Sequence, residues 1–235
     1  MLGFSIQTIA VAFVGGVVPT LLWLWFWLNE DKKNPEPKVL ILLSFILGML
    51  AVPFVVPFEH WITELPLSPF FVFLGWAFVE ELTKYGAAYL GGLHTQAEDE
   101  PIDAMIYLIT AALGFAAAEN TLFLLNPLLE GEFFVGVITR NIRFIGPTLL
   151  HIVSSGIIGG ALALSFYKKE KVKIEYVIGG LILAVTLHAV FNFFIMQSSG
   201  SNVFIVFALI WIAVIGLMLF FERVKVLRKE KSNYQ

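Results

Sequence analysis

The sequence predicts an all-α bundle of about seven membrane-spanning helices, and three observations carry that prediction. The 235 residues are 58% hydrophobic and only 14% charged, with a mean hydropathy of +0.84, whereas soluble domains average roughly 25% charged residues. Seven stretches reach the length of about 20 mostly apolar residues that a spanning helix needs. The Lys and Arg residues fall almost entirely on one side of the resulting topology. The 23 Phe and 6 Trp suit a lipid-facing surface better than a watery one.

The first stretch, 4–28, has no Lys or Arg before its apolar run, and Lys32 and Lys33 follow it. That order suits a retained first helix with an exported N-terminus rather than a cleaved signal peptide. The charged, proline-bearing 29–38 leads into 39–58. The third stretch, 69–92, is closed by the acidic 93–101, and the fourth, 102–126, runs into 127–143, read as a loop or an interfacial helix. The fifth, 144–167, ends at the basic KKEKVK of 168–173, and the small polar residues of 198–202 separate 174–197 from 203–222. With seven spans, 12 of the 15 Lys and Arg residues share a side with the C-terminus, Arg140 and Arg143 lie on the other, and Lys84 is within a span. The expected arrangement is therefore a plasma-membrane protein with its N-terminus outside and C-terminus cytoplasmic. It forms a single integral membrane domain, 1–235: two N-terminal helices (1–68), a core (69–197), and a last helix with a basic tail (203–235). The net charge of −3, without a basic block beyond the loops, argues against nucleic-acid binding. The absence of Cys excludes disulfides, thiolate catalysis and Cys-based metal sites.

Charged side chains at membrane depth cost several kcal/mol unless paired or hydrated, and usually mark function. The third stretch carries Glu80, Glu81 and Lys84, so Lys84 is i,i+4 from one carboxylate and i,i+3 from the other. The two carboxylates point about 100° apart, so one can meet Lys84 while the other faces a different helix. Glu119 and Asn120 follow three alanines in the fourth stretch, His151 lies in the fifth above Gly156 and Gly160, and His188 and Asn192 share a face of the sixth. Each polar residue alone could be a packing or hydrogen-bonding residue. Counted from the outer membrane surface at about 1.5 Å per residue, Glu119, His151 and His188 lie roughly 10–12 Å deep, Glu80 and Glu81 roughly 16–18 Å, and Asn192 about 6 Å. Four helices thus place polar groups in one layer of the outer half of the bilayer, which implies a single site open to water from outside.

Peptide hydrolysis needs a base for water, an oxyanion donor and an acid for the leaving amine. Glu, His and Asn supply these, and two His with a Glu also make a catalytic zinc set. HExxH is absent, so a metal site would have to be assembled from separate helices. Ser154 and Ser155 lie near His151, but without GxSxG a serine route is weak. Buried Glu, His and Lys also form proton relays in carriers, but no repeated half or paired broken helices of the transporter kind occur. A non-catalytic binding protein on a protease fold is the other alternative.

Glu80-Glu81-Leu-Thr-Lys84 fits EExxK, Phe115 to Glu119 fits FxxxE continued by Asn120, Arg143 stands eight residues before His151, and His188-Ala-Val-Phe-Asn192 fits HxxxD/N. In this order, on successive membrane helices over about residues 75–195, these motifs resemble the PrsW family of intramembrane proteases. That family is related to the CAAX prenyl endopeptidases and the bacteriocin-processing membrane proteases. The resemblance implies cleavage of a membrane-anchored protein, such as an anti-sigma factor. The expected catalytic residues are Glu80, Glu81, Glu119, His151, His188 and Asn192. Glu81 is the expected base, with Glu80 turned towards an ordering partner, although helix phase alone does not choose between them. His188 and Asn192 are expected to hold the oxyanion. Glu119 and His151 would complete a water site, or Glu119, His151 and His188 would ligate a divalent metal such as zinc; the sequence leaves metallo-type and metal-free glutamic-type chemistry open.

Overall fold

The structure, a computed structural model, describes residues 6–32, 34–129, 133–197 and 202–227, excluding the side chains of residues 126, 133–145 and 202. Seven helices follow one another: α1 (Ile6–Glu30), α2 (Lys38–Thr63), α3 (Pro69–Ala88), α4 (Asp103–Leu129), α5 (Phe133–Ser165), α6 (Glu170–Gln197) and α7 (Asn202–Val224), with no strand among the described residues. Six are long and apolar enough to cross a membrane. The seventh is α3, the helix that carries Glu80, Glu81 and Lys84.

The starts and stops follow local chemistry. Pro37 immediately precedes α2, and Pro69 occupies the first turn of α3 after Ser68, where its missing N–H costs nothing. Two boundaries differ from the sequence reading. Helix α2 continues to Thr63, because Pro53 and Pro57 lie inside it without ending it. Of the span 127–143, read as a loop or an interfacial helix, residues 127–129 end α4 and residues 133–143 begin α5, whose backbone is helical through Arg140 and Arg143; residues 130–132 lie outside the described residues. The side chains of those two arginines lie outside the described residues.

Helix α4 is the axis of the bundle. Every residue from Ile102 to Ala117 is buried, with α1, α2 and α5 all packed against this helix. Helix α3 lies between α2 and α6, and α7 leans mainly on α5. Large apolar side chains such as Leu22, Trp25, Phe54, Ile182 and Leu219 point outward and are exposed. Lipid tails solvate such side chains, so packing inside the bundle must come from close fit between small residues. The crossing of α2 and α4 shows this. A Cβ on Gly48 would stand 2.0 Å from the Ala111 carbonyl oxygen, and one on Gly114 would stand 2.0 Å from the Phe45 carbonyl oxygen. Gly156 and Gly160 serve the same end between α5 and α7, against Leu217 and Phe220.

Past Ala88 the third helix widens into one π-helical turn, Tyr89–Leu93, closed by a hydrogen bond from the His94 amide to the Tyr89 carbonyl. Such turns hold one residue more than an α-helical turn. Its Gly92 backbone lies against the ring of Tyr107 on α4.

Candidate active site

Two adjacent carboxylates start the site. On α3, Glu80 and Glu81 are 3% and 0% exposed and Lys84 is 0% exposed. Lys84 lies one turn further along α3, which brings its ammonium back over both carboxylates: Nζ donates to Glu81 Oε1 at 2.6 Å and stands 3.7 Å from Glu80 Oε2. Three buried ionisable groups on one turn would be untenable in lipid, so the neighbouring helices must answer them.

Glu81 is answered completely. Its Oε1 also accepts from Ser154 at 2.8 Å on α5 and meets His188 Nδ1 at 2.7 Å on α6, while Oε2 accepts from Ser155 at 3.4 Å. Glu80 is not. Its Oε2 is buried without a hydrogen-bond partner, and faces Lys84 Nζ at 3.7 Å, His151 Nδ1 at 3.8 Å and His188 Nε2 at 3.6 Å. His151 spans the rest of the site. Its Nδ1 is 2.8 Å from Lys84 Nζ, and its Nε2 is 2.6 Å from Glu119 Oε2 on α4. Phe115 shares the Glu119 face of α4, one turn earlier, and packs edge-on against His151 while lying beneath the Lys84 ammonium.

The hydrogen bonds also orient the rings. With Glu81 and Glu119 ionised, each carboxylate accepts from the imidazole nitrogen it meets. That leaves His188 Nε2 and, unless it accepts from Lys84, His151 Nδ1 with free lone pairs directed towards Glu80 Oε2. Carboxylates behind histidines in this way are the usual outer shell of a metal site. One donor atom each from Glu80, His151 and His188 lies within 4.8 Å of the others. The unpartnered Glu80 oxygen and this two-imidazole, one-carboxylate set fit a divalent ion. Glu119, expected among the ligands, instead stands on the far side of His151. Its side chain is 18% exposed, which makes it the most exposed ionisable group of the cluster.

Five of the six expected residues thus meet from four helices. Asn192 is one turn beyond His188 and half-buried, and none of the cluster's hydrogen bonds reaches it. Asn120 instead donates to Thr148 at 3.0 Å, tying α4 to α5 beside the cluster. Sequence reasoning missed Glu59, whose carboxyl lies within hydrogen-bonding reach of Glu80. It sits in the part of α2 beyond residue 58, which the sequence assigned to a connection. A carboxylate two residues before Trp61, in an apolar run that continues past residue 58, was the available signal.

Fold and cluster together define an integral membrane protein that gathers buried carboxylates, imidazoles and an ammonium between its helices. The chain belongs to the PrsW family: residues 36–219 match the family described as PrsW family intramembrane metalloprotease. It is 26% identical over 189 residues to Protease PrsW of Bacillus subtilis (strain 168), covering 79% of this chain and 83% of that protein. It is 28% identical over 185 residues to Protease PrsW of Geobacillus kaustophilus (strain HTA426), covering 77% and 78%. With Protease PrsW of Oceanobacillus iheyensis the identity is 27% over 202 residues, covering 84% and 89%. No solved structure matches this chain.

Proposed function

We propose that this protein is an intramembrane endopeptidase that cleaves a membrane-anchored protein, such as an anti-sigma factor, with Glu80 at the centre of the chemistry. The observation that carries the proposal is the buried, unpartnered Oε2 of Glu80 between two imidazoles and an ammonium. A hydrolytic water needs a carboxylate free to take its proton, and Glu80 has that free edge. Glu81, with both oxygens engaged, is better suited to holding Lys84 and His188 in place. The roles expected for the two carboxylates are therefore exchanged in this reading.

His188 and Lys84 face the same space and are the groups available to stabilise developing negative charge. Glu119, at the partly exposed edge, holds His151 and offers a route for protons to and from water. A divalent ion held by Glu80, His151 and His188 would lower the pKa of a bound water and polarise the scissile carbonyl; Glu119 would then be the carboxylate left to handle protons. The ion-free alternative is favoured by one contact, Lys84 Nζ on His151 Nδ1, which puts a cation in the same space. The Lys and Arg distribution supports a plasma-membrane orientation with the N-terminus outside, and hence a site that opens towards the outer half of the bilayer.

Purified protein with a membrane-anchored reporter substrate tests this. Glu80→Gln and His188→Ala are each expected to lower cleavage by 10²-fold or more while the protein stays folded. Cleavage at the parent rate in both variants would remove the proposal. Elemental analysis and chelation then separate the two chemistries: stoichiometric metal with activity lost to chelator supports the ion, and full activity without metal supports the glutamic route.

A further inference from the structure

A second carboxylate cluster lies about 24 Å from Glu119, taking 16 residues of α4 at 1.5 Å each. Asp31 follows α1, Glu36 lies in the connection to α2, and Asp103 opens α4. They are 7%, 8% and 0% exposed, and one carboxylate oxygen from each lies within 4.8 Å of the other two. The cluster is built rather than accidental. Asp103 Oδ2 accepts from the amides of Asp99 and Glu100 at 2.8 and 2.6 Å, and the Tyr107 hydroxyl donates to Glu36 Oε2. Tyr107 is itself held by the Gly92 backbone of the π-helical turn. Yet no donor meets the buried Asp31 Oδ2 or Asp103 Oδ1, although the Asp103 carboxyl lies within hydrogen-bonding reach of Glu36.

No basic group among the described residues forms an ion pair with these three carboxylates. The nearby Lys225 is engaged with Glu30 at 3.0 Å and Glu222 at 2.5 Å. A buried carboxylate set without a cation is costly, and unpartnered oxygens within so close a group are what an ion would satisfy. Three oxygen donors with no imidazole or thiolate select a hard ion.

We propose that Asp31, Glu36 and Asp103 bind a hard divalent cation of the magnesium or calcium class, which clamps the α1–α2 connection to the start of α4. This site is separate from the hydrolytic cluster and does not depend on the reaction assigned to it.

Thermal unfolding of the full chain in detergent, after stripping with EDTA, tests the proposal. MgCl2 and CaCl2 are titrated separately against KCl of matched ionic strength, and the cation giving the tighter response identifies the preferred ion. A saturable rise in Tm of about 5 °C or more is expected for one of them. Asp31→Asn and Glu36→Gln should each abolish the rise, and Glu80→Gln should retain it. No rise with either cation would overturn the site and leave a protonated carboxyl cluster, and an undiminished rise in both cluster variants would equally overturn it. Should those variants fail to fold, Mn2+ electron paramagnetic resonance of Glu80→Gln decides. Bound Mn2+ displaced by Mg2+ or Ca2+ supports the site, and the absence of bound Mn2+ overturns it.

Discussion

Lys84 and Glu81 are fully buried partners, 2.6 Å apart, and their value lies less in the pair's net energy than in the cost of separating them. Removing one partner leaves an uncompensated charge among apolar helices. Lys84→Met is therefore expected to destabilise the protein by roughly 3–5 kcal/mol, read as a lowered Tm in detergent. The double variant Lys84→Met/Glu81→Gln should recover much of that loss without recovering cleavage. A single variant as stable as the parent would show that the ammonium is not held as described. At this scale the sequence was readable because charge stands out against a hydrophobic background: Glu80, Glu81, Glu119, His151 and His188 could be selected by residue type and depth alone. What could not be read was which oxygen or nitrogen meets which. That depends on helix rotation, so Glu80 rather than Glu119 shares the metal-fitting space, and Asn192 stands apart.

The helices themselves were legible from apolar length, because a chain in lipid must satisfy its backbone within each segment. Their ends were less so. The second stretch was ended at residue 58, yet α2 runs on to Thr63. That misplacement hid Glu59. Contact between elements depends on residues that sequence reading treats as neutral. Gly48 and Gly114 let α2 and α4 cross backbone to backbone, and no side chain larger than hydrogen fits against those carbonyls. Gly48→Ala is expected to lower stability by about 1–3 kcal/mol through overpacking. Gly216, whose Cβ would meet nothing within 4 Å, is the control, and Gly216→Ala should be tolerated. Equal Tm values for the two variants would contradict the close crossing.

For the whole molecule, the predicted sidedness follows from loop charge, and the chain offers a clean way to check it. With no native Cys, single cysteines introduced at Ser68 and Thr95 can be labelled by an impermeant maleimide, from outside in intact cells and from inside only after permeabilisation. Ser68 lies in the α2–α3 connection and Thr95 in the α3–α4 connection, so they should react from opposite sides, Ser68 from outside. Reaction of both from one side would mean that α3 does not span. The overall bundle was expected from composition and charge. The second carboxylate cluster was not, because Asp31 and Glu36 sit in a segment read only as a polar break and Asp103 at the start of the fourth apolar stretch, and their proximity arises from tertiary packing alone.

The π-helical turn at Tyr89–Leu93 makes the chain tolerant of a change in length at one place. An extra residue accommodated by one wide turn can be lost if that turn tightens to an α-helical one. Leu90 is exposed, whereas Gly91 and Gly92 pack against Ser44 and Tyr107. Deleting Leu90 should let the turn shorten while both glycines keep their seats. Everything before it, including Glu80, Glu81 and Lys84, stays in phase. Deleting a residue one turn earlier, such as Tyr85, has no such slack and should shift Lys84 or Gly91 out of register. The expected outcome is a folded, cleavage-competent protein of 234 residues (one fewer than 235) from the first deletion and an unfolded one from the second, so this site permits a gap in an otherwise length-locked helix.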